Sequence, residues 1–300
     1  MSYIRGILIS SCINITCVSG LAILIGYLGM FSMGHAAFLS FGAYTAAILT
    51  KYFQVPFVIA LLAGGMVSAV MSLIIGLPTL RGKHSGDAFM IATLGFGEAV
   101  RVVMSNLKSS YTGGALGISN IPKFTSLPVA LIVAAISVYL CYNYSKSQHG
   151  KILTAIRYHA DATELNGVNI YKEKIKALMI SAFFCGIGGG LMAHYYTYFV
   201  PNTFGTIMST NLLTAVVLGG ISSVSGPALG ALVLTFAPEL LRAATNWRLA
   251  MYGFVLILMM RLRPEGFLGN KELHTEIIKG VKYLRTKLLA QKQKINKGGN

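Results

Sequence analysis

Apolar runs close to the length of a membrane-spanning helix return repeatedly along this chain. A helix needs about 20 apolar residues to cross the hydrocarbon core of a bilayer. Nine runs approach that length, and two of them, 33–49 and 207–221, are short. The runs lie at 7–28, 33–49, 55–77, 87–107, 126–144, 175–198, 207–221, 226–243 and 248–262. The sequence therefore predicts an all-α polytopic membrane protein with about eight to nine transmembrane helices, some of them short or broken.

Composition and charge distribution agree with a membrane location. Of the 300 residues, 54% are hydrophobic and 11% are charged. The net charge of +16 does not indicate nucleic-acid binding, because no basic patch interleaves with exposed aromatic residues. If the C-terminus is cytoplasmic and each run crosses once, the inner segments (78–86, 145–174 with Lys176, and the residues after 260) hold 18 of the 25 basic residues, and the outer segments hold six. This asymmetry predicts a cytoplasmic C-terminus and an outside N-terminus.

The chain divides near residue 270. Residues 1–270 form the predicted transmembrane domain, and residues 271–300 form a basic tail. The tail repeats apolar residues at helical spacing between lysines and arginines, which predicts an amphipathic helix lying on the anionic inner leaflet. The alternative is a tail that only aids solubility.

The stretch 26–44 interrupts two apolar runs with four glycines, two serines and a histidine. Broken backbone at membrane depth must be surrounded by protein or by a water-filled cavity. Ser32, Gly34 and His35 are therefore candidate lining residues of a translocation path. The alternative is a packing pivot, in which the glycines allow close approach and His35 donates to a nearby carbonyl to hold a broken helix.

The inner loop 145–174 carries helix-terminus signals. Asp161 and Glu164 have the spacing of a capping box, in which Asp161 accepts from the third helical amide and Glu164 reaches back to the cap amide. Gly167 then offers a left-handed stop. This predicts a short helix over 161–166, the alternative being a solvated turn.

Glu98 is the acid placed deepest within an apolar run, and Arg101 follows it one helical turn later. An ionisable group inside a membrane is costly enough to suggest a function. Glu98 contacts a solute's ammonium group or a partner subunit, or else the two residues form a structural ion pair.

Small residues predict close helix packing in the run 175–198. They recur there at three- and four-residue spacings, which predicts one smooth helix face for a neighbouring helix. The four cysteines lie in apolar runs without CxxC spacing, so they predict neither a zinc site nor a disulfide framework.

Catalytic motifs are missing from the sequence. It has no GxxxxGK[ST] phosphate loop, no HExxH and no GxSxG element. We therefore expect no enzymatic site and no cofactor, and any ATP hydrolysis must occur on separate subunits.

Several stretches together resemble one family, the LivM-type membrane permeases of branched-chain amino-acid ABC transporters. They occur in the family's order and cover roughly residues 20–269. The matching pieces are Gly-Tyr-x-Gly-x-x-Ser-x-Gly-His-Ala-Ala-Phe at 26–38, 92–98 with Arg101, 112–114, Gly150-Lys151 with 155–157, 218–221, 225–227 with Gly230, and 263–266.

The resemblance implies a function and partners. It implies a bacterial inner-membrane subunit that, with a second homologous permease, forms the path for leucine, isoleucine and valine. Two cytoplasmic ATPase subunits would drive transport, and an extracytoplasmic amino-acid-binding protein would dock on the glycine-rich outer loop 111–122. Alternatives are a permease of the same family for urea, short amides or a sugar, and an ion-coupled carrier.

The segment 161–167 resembles the Glu-Ala-Ala-x-x-x-Gly loop by which importer permeases contact their ATPases. Asp161 stands where that pattern has Glu, and Thr163 stands where it has its second Ala. The residues implied in ATPase coupling are Asp161, Ala162, Glu164, Leu165 and Gly167.

Overall fold

The computed structural model describes residues 2–81, 86–107, 109, 111–221, 223–240 and 261. These residues form ten α-helices with three short non-α turns. The helices are α1 (Ser2–Ala22), α2 (His35–Lys51), α3 (Phe57–Leu80), α4 (Gly86–Asn106), α5 (Leu127–Lys146), α6 (Gln148–Tyr158), α7 (Ala160–Leu165), α8 (Ile170–Tyr196), α9 (Thr206–Gly219) and α10 (Ser225–Leu240). A π-helical turn at Ile23–Tyr27 follows α1, and 3₁₀ turns lie at Gly114–Leu116 and Pro201–Phe204. The predicted tail 271–300 and nearly all of the run 248–262 lie outside the described residues.

Helix lengths confirm the prediction of an all-α membrane protein with some short helices. Eight of the nine predicted runs coincide with a helix. Five helical stretches are long and apolar enough to cross a membrane, namely Tyr3–Tyr27, Phe57–Leu80, Gly86–Asn106, Leu127–Lys146 and Ile170–Tyr196. By contrast α2 has 17 residues and α9 has 14, which makes them about 26 Å and about 21 Å long.

Helix α8 is the centre of the bundle and packs against α1, α2 and α3. Its glycines allow this on several sides. A Cβ atom at Gly186 would overlap Ser68 of α3, one at Gly188 would overlap Cys17 of α1, and one at Gly189 would overlap the backbone of Leu39 in α2. The sequence predicted one smooth face on this helix. The structure uses small residues around most of its circumference, because three helices surround it.

Contacts along α8 define the directions of its neighbours. Helix α2 runs parallel to α8, since His35 bonds to Ser181 and Thr50 bonds to His194. Helix α1 runs antiparallel to α8. The start of α2 is therefore level with Ser181, which lies about 16 Å along α8 from its N-terminal end. Helix α2 begins within the bundle, as the prediction of a broken helix requires.

Loop contacts divide the molecule into two ends. Tyr171 Oη donates to the Leu77 carbonyl, and Arg157 donates to the Gly26 carbonyl, at the end that carries α6 and α7. At the opposite end, Lys51 Nζ donates to the Ser119 carbonyl, and residues 118 and 199 form an antiparallel bridge. Leu77 borders the segment 78–86 and Tyr171 lies in the segment 145–174. The count of basic residues placed both segments on the same side of the membrane, and they meet at one end of the bundle.

The loop 145–174 differs from its predicted form. It contains two helices, and α6 was not predicted. The prediction of a capping box was wrong, because α7 begins at Ala160 with His159 at the N-cap and without a side-chain cap bond. His159 also ends α6, so the junction is one residue long and Asp161 lies inside the first turn. The predicted stop is confirmed, since Gly167 has φ +82° and its amide donates to the Glu164 carbonyl at 2.9 Å.

Candidate functional site

A cleft of about 490 Å³ lies where the N-terminus of α9 meets the middle of α4. We call it the α4–α9 cleft. Its wall combines an acid, a base and two asparagine amides with apolar side chains. The lining residues are Glu98, Arg101, Asn202, Thr203, Gly205, Thr206, Ile207, Met208 and Asn211.

Glu98 caps the start of α9 from the neighbouring helix. The N-cap residue of α9 is Gly205, which has no side chain to accept from the first amides. Glu98 Oε1 accepts from the Thr206 amide at 3.1 Å and from the Thr206 hydroxyl at 2.5 Å. A carboxylate at a helix N-terminus also interacts favourably with the helix dipole. Glu98 therefore holds α4 and α9 together across the cleft.

Arg101 completes the polar network. Its Nε donates to Glu98 Oε2 at 2.7 Å, and its NH1 donates to Asn202 Oδ1 at 2.8 Å. Of the alternatives that the sequence left open for Glu98 and Arg101, the ion pair is present, with Arg101 NH2 and Glu98 Oε2 2.7 Å apart. Their side chains nevertheless stay 33% and 31% exposed, so the pair faces the cleft.

The exposed face of α9 carries polar residues beside the exposed Ile207. Thr210 and Asn211 are exposed, and Thr210 Oγ1 is bonded to the Thr206 carbonyl at 2.9 Å. An exposed amide and an ion pair at membrane depth are costly against hydrocarbon. The α4–α9 face is therefore suited to water or to another protein.

The other three candidate path residues are buried away from the cleft. His35 Nε2 and Ser181 Oγ lie 2.7 Å apart, so the histidine joins the start of α2 to α8. The Gly34 amide donates to Ser32 Oγ at 3.4 Å. Of the predicted path residues, only Glu98 lines the cavity.

The five candidate coupling residues share one exposed surface at the end of the bundle. Asp161, Ala162, Glu164, Leu165 and Gly167 are all exposed, and Leu165 is 90% exposed. Only Thr163 of this segment is buried, with its hydroxyl bonded to the His159 carbonyl at 2.8 Å. Helix α7 packs against α6 and α8 and leaves the predicted residues exposed.

Sequence reasoning missed Asn202, Thr206 and Asn211. Thr206, Thr210 and Thr214 recur at four-residue spacing beside Asn211 within a short apolar run, and this polar stripe was a readable signal. Their proximity to Glu98 could not be predicted from the sequence, because more than a hundred residues separate them from it.

These features define an all-α, multi-pass membrane protein with a polar cleft at membrane depth. A family model described as "Branched-chain amino acid transport system / permease component" matches residues 3–262, and the chain belongs to this family. The relatives below are described as permease proteins of transport systems.

Three relatives illustrate the similarity. The high-affinity branched-chain amino acid transport system permease protein LivM of Escherichia coli K12 is 31% identical over 283 residues. That match covers 83% of this chain but 66% of the relative, so the chain spans slightly less than two thirds of that protein. The permease protein LivH of the same organism is 28% identical over 47% of this chain and 45% of its own length. The ribose import permease protein RbsC of Haemophilus influenzae is 26% identical over 71% of this chain and 64% of its own length. No solved structure matches the chain significantly.

Proposed function

We propose that this chain is the permease subunit of an ATP-driven importer of leucine, isoleucine and valine in the bacterial inner membrane. The observation that carries the proposal is the Glu98–Arg101 pair, which faces a cleft from the middle of a membrane-length helix. Family membership and similarity to LivM support the solute class. A second, homologous permease covers the α4–α9 face, and the path runs between the two subunits.

The chemistry of the cleft suits a free amino acid. Such a solute carries an ammonium and a carboxylate, and the cleft offers a carboxylate from Glu98 and a guanidinium from Arg101. Ile207 and Met208 add apolar surface for a branched side chain. Ser32, Gly34 and His35 lie deeper, at the helix break, and we propose that they line the path only in another conformation of the permease.

ATP is hydrolysed outside this chain in our proposal. The end that carries α6 and α7 is cytoplasmic, as is the C-terminus, and the exposed surface of α7 contacts one of two ATPase subunits. The binding protein docks at the opposite end, on loop 111–122. Closure of the ATPases displaces α7 and changes which side of the membrane the path faces.

The test is reconstitution in proteoliposomes with the second permease, the two ATPases and the binding protein encoded nearby. We expect leucine uptake that requires both ATP and the binding protein. Uptake that persists without ATP would contradict the proposal and favour an ion-coupled carrier.

The similarity to the ribose permease makes a sugar the second candidate solute. The ligand of the purified binding protein distinguishes the two, because selectivity begins there. A binding protein that takes a pentose and no branched-chain amino acid would replace leucine with a sugar in this proposal.

A further inference from the structure

The connection between α1 and α2 contains a helix break that exposes one backbone carbonyl. In a regular α-helix the Met30 amide would donate to the Gly26 carbonyl. Just after the π-helical turn, where Gly29 is left-handed, the Met30 amide donates instead to the Leu24 carbonyl at 3.2 Å. The Gly26 carbonyl accepts from NH1 of Arg157, which lies in the last turn of α6. A side chain from α6 thus completes the hydrogen bonding of the break.

The stem of Arg157 also packs against the break. Gly29 has φ +77°, and a Cβ atom there would lie 2.9 Å from Arg157 Cγ. On another side, a Cβ atom at Gly26 would overlap the carbonyl of Ile221, in the turn between α9 and α10. Arg157 therefore touches the break at two glycines, and neither position has room for a side chain.

The far side of the break is bonded to the two helices that form the cleft. The Met33 amide donates to Thr93 Oγ1 of α4 at 3.1 Å. The Ala36 amide donates to Ser209 Oγ of α9 at 3.0 Å. Thr93 lies five residues before Glu98, and Ser209 lies within the first turn of α9. The segment 26–36 is thus bonded to α6 at one end and to α4 and α9 at the other.

We propose that Arg157 transmits the movement of α7 to the α4–α9 cleft through the segment 26–36. Helix α7 follows α6 after the single residue His159, so a displacement of α7 moves Arg157 with it. The Gly26 and Gly29 contacts pass this movement to the break, and the bonds to Thr93 and Ser209 pass it to the cleft helices. Arg157 is a positioning residue and touches no solute. The inference rests on the proposed function.

The test measures leucine uptake and ATP hydrolysis in the same proteoliposomes containing the complete transporter. In Arg157→Gln we expect leucine imported per ATP to fall about 2- to 30-fold, the range produced by mutations along a coupled network, while hydrolysis persists. The matched control is Lys151→Gln, which removes the same charge from an exposed position on α6. The control should keep the unmodified ratio.

A second pair of variants keeps Arg157 and displaces it. Gly29→Ala should lower the same ratio, because the methyl group meets the Arg157 stem and φ is positive. Its control is Gly86→Ala at the start of α4, where no atom lies within 4 Å of the new Cβ. If Arg157→Gln does not assemble, Gly29→Ala decides the question.

An unchanged ratio in Arg157→Gln or Gly29→Ala would overturn this inference alone, and so would a parallel loss of uptake and hydrolysis in an assembled complex. If the unmodified transporter shows no ATP-driven uptake, the proposed function is overturned, and this inference with it.

Discussion

Helices α4 and α5 are equally peripheral and both expose aliphatic side chains, but α4 also carries a half-exposed ion pair. In both, 22% of the most apolar stretch is buried within the subunit, against 72% in α8. The exposed centre of α5 carries only alanine, aliphatic residues and Tyr139. Beside α4, Glu98 and Arg101 open onto the cleft with Asn211 of α9. Equal exposure therefore does not imply the same neighbour.

The difference teaches how the subunit is oriented in its complex. The apolar face of α5 can contact lipid tails without burying a polar group in hydrocarbon. The Glu98–Arg101 pair and the Asn211 amide need water or protein around them. We therefore expect lipid against α5, and the path with the partner permease against α4 and α9. Each prediction below tests this assignment.

The largest effect should come from placing a charge on each face. Ile136→Asp puts a carboxylate on the exposed centre of α5 and should disfavour membrane insertion by about 3 kcal/mol. Asn211→Asp should leave insertion nearly unchanged, because its position is hydrated or covered by protein. The measurement is the amount of intact protein in the membrane fraction. Equal losses for the two variants would refute the assignment.

Removal of the α9 cap should have the next largest effect. Glu98→Leu leaves Arg101 without its carboxylate partner and the Thr206 amide without its acceptor. Because hydrogen bonds to charged groups contribute about 1.5–3 kcal/mol each, uptake should fall about tenfold or more. Glu98→Gln retains an acceptor oxygen and should lose less. If both variants transport leucine normally, the pair has no role in the path.

The smallest effect should come from removing the exposed amide. Asn211→Leu should lower uptake about two- to tenfold, as expected for one neutral hydrogen bond, without reducing the amount of protein in the membrane. Ile136→Leu on α5 is the control and should transport normally. An effect of the control equal to that of Asn211→Leu would remove the distinction between the faces.

The sequence predicted the helices better than the contacts between them. Run length decided eight helix positions, because a bilayer core needs a minimum apolar length. Helix α6 was missed, since its 11 residues are too short and too polar for that criterion. The capping box failed because α6 continues to Tyr158 and leaves the cap position to His159.

The candidate site was predictable only in part. Glu98 was identified because a charge within an apolar run is rare. Its partner Thr206 is 108 residues away, and Arg157 is 131 residues from Gly26. No local pattern encodes these pairs, because each joins helices that are far apart in the sequence and meet only through tertiary packing. The glycines at 26 and 29 predicted a break but neither its π-helical form nor the side chain that completes it.

Thiol accessibility tests the central claim most directly. The Asn211→Cys and Ile136→Cys variants are treated with a water-soluble maleimide in intact membranes, with the unmodified chain, whose four cysteines are buried or half-buried, as background. Maleimides react with thiolates in water, so we expect labelling of Asn211→Cys, protection of that site when the partner permease is assembled or leucine is bound, and only background labelling of Ile136→Cys. Labelling of Ile136→Cys that equals or exceeds that of Asn211→Cys would contradict the assignment of the path to the α4–α9 face.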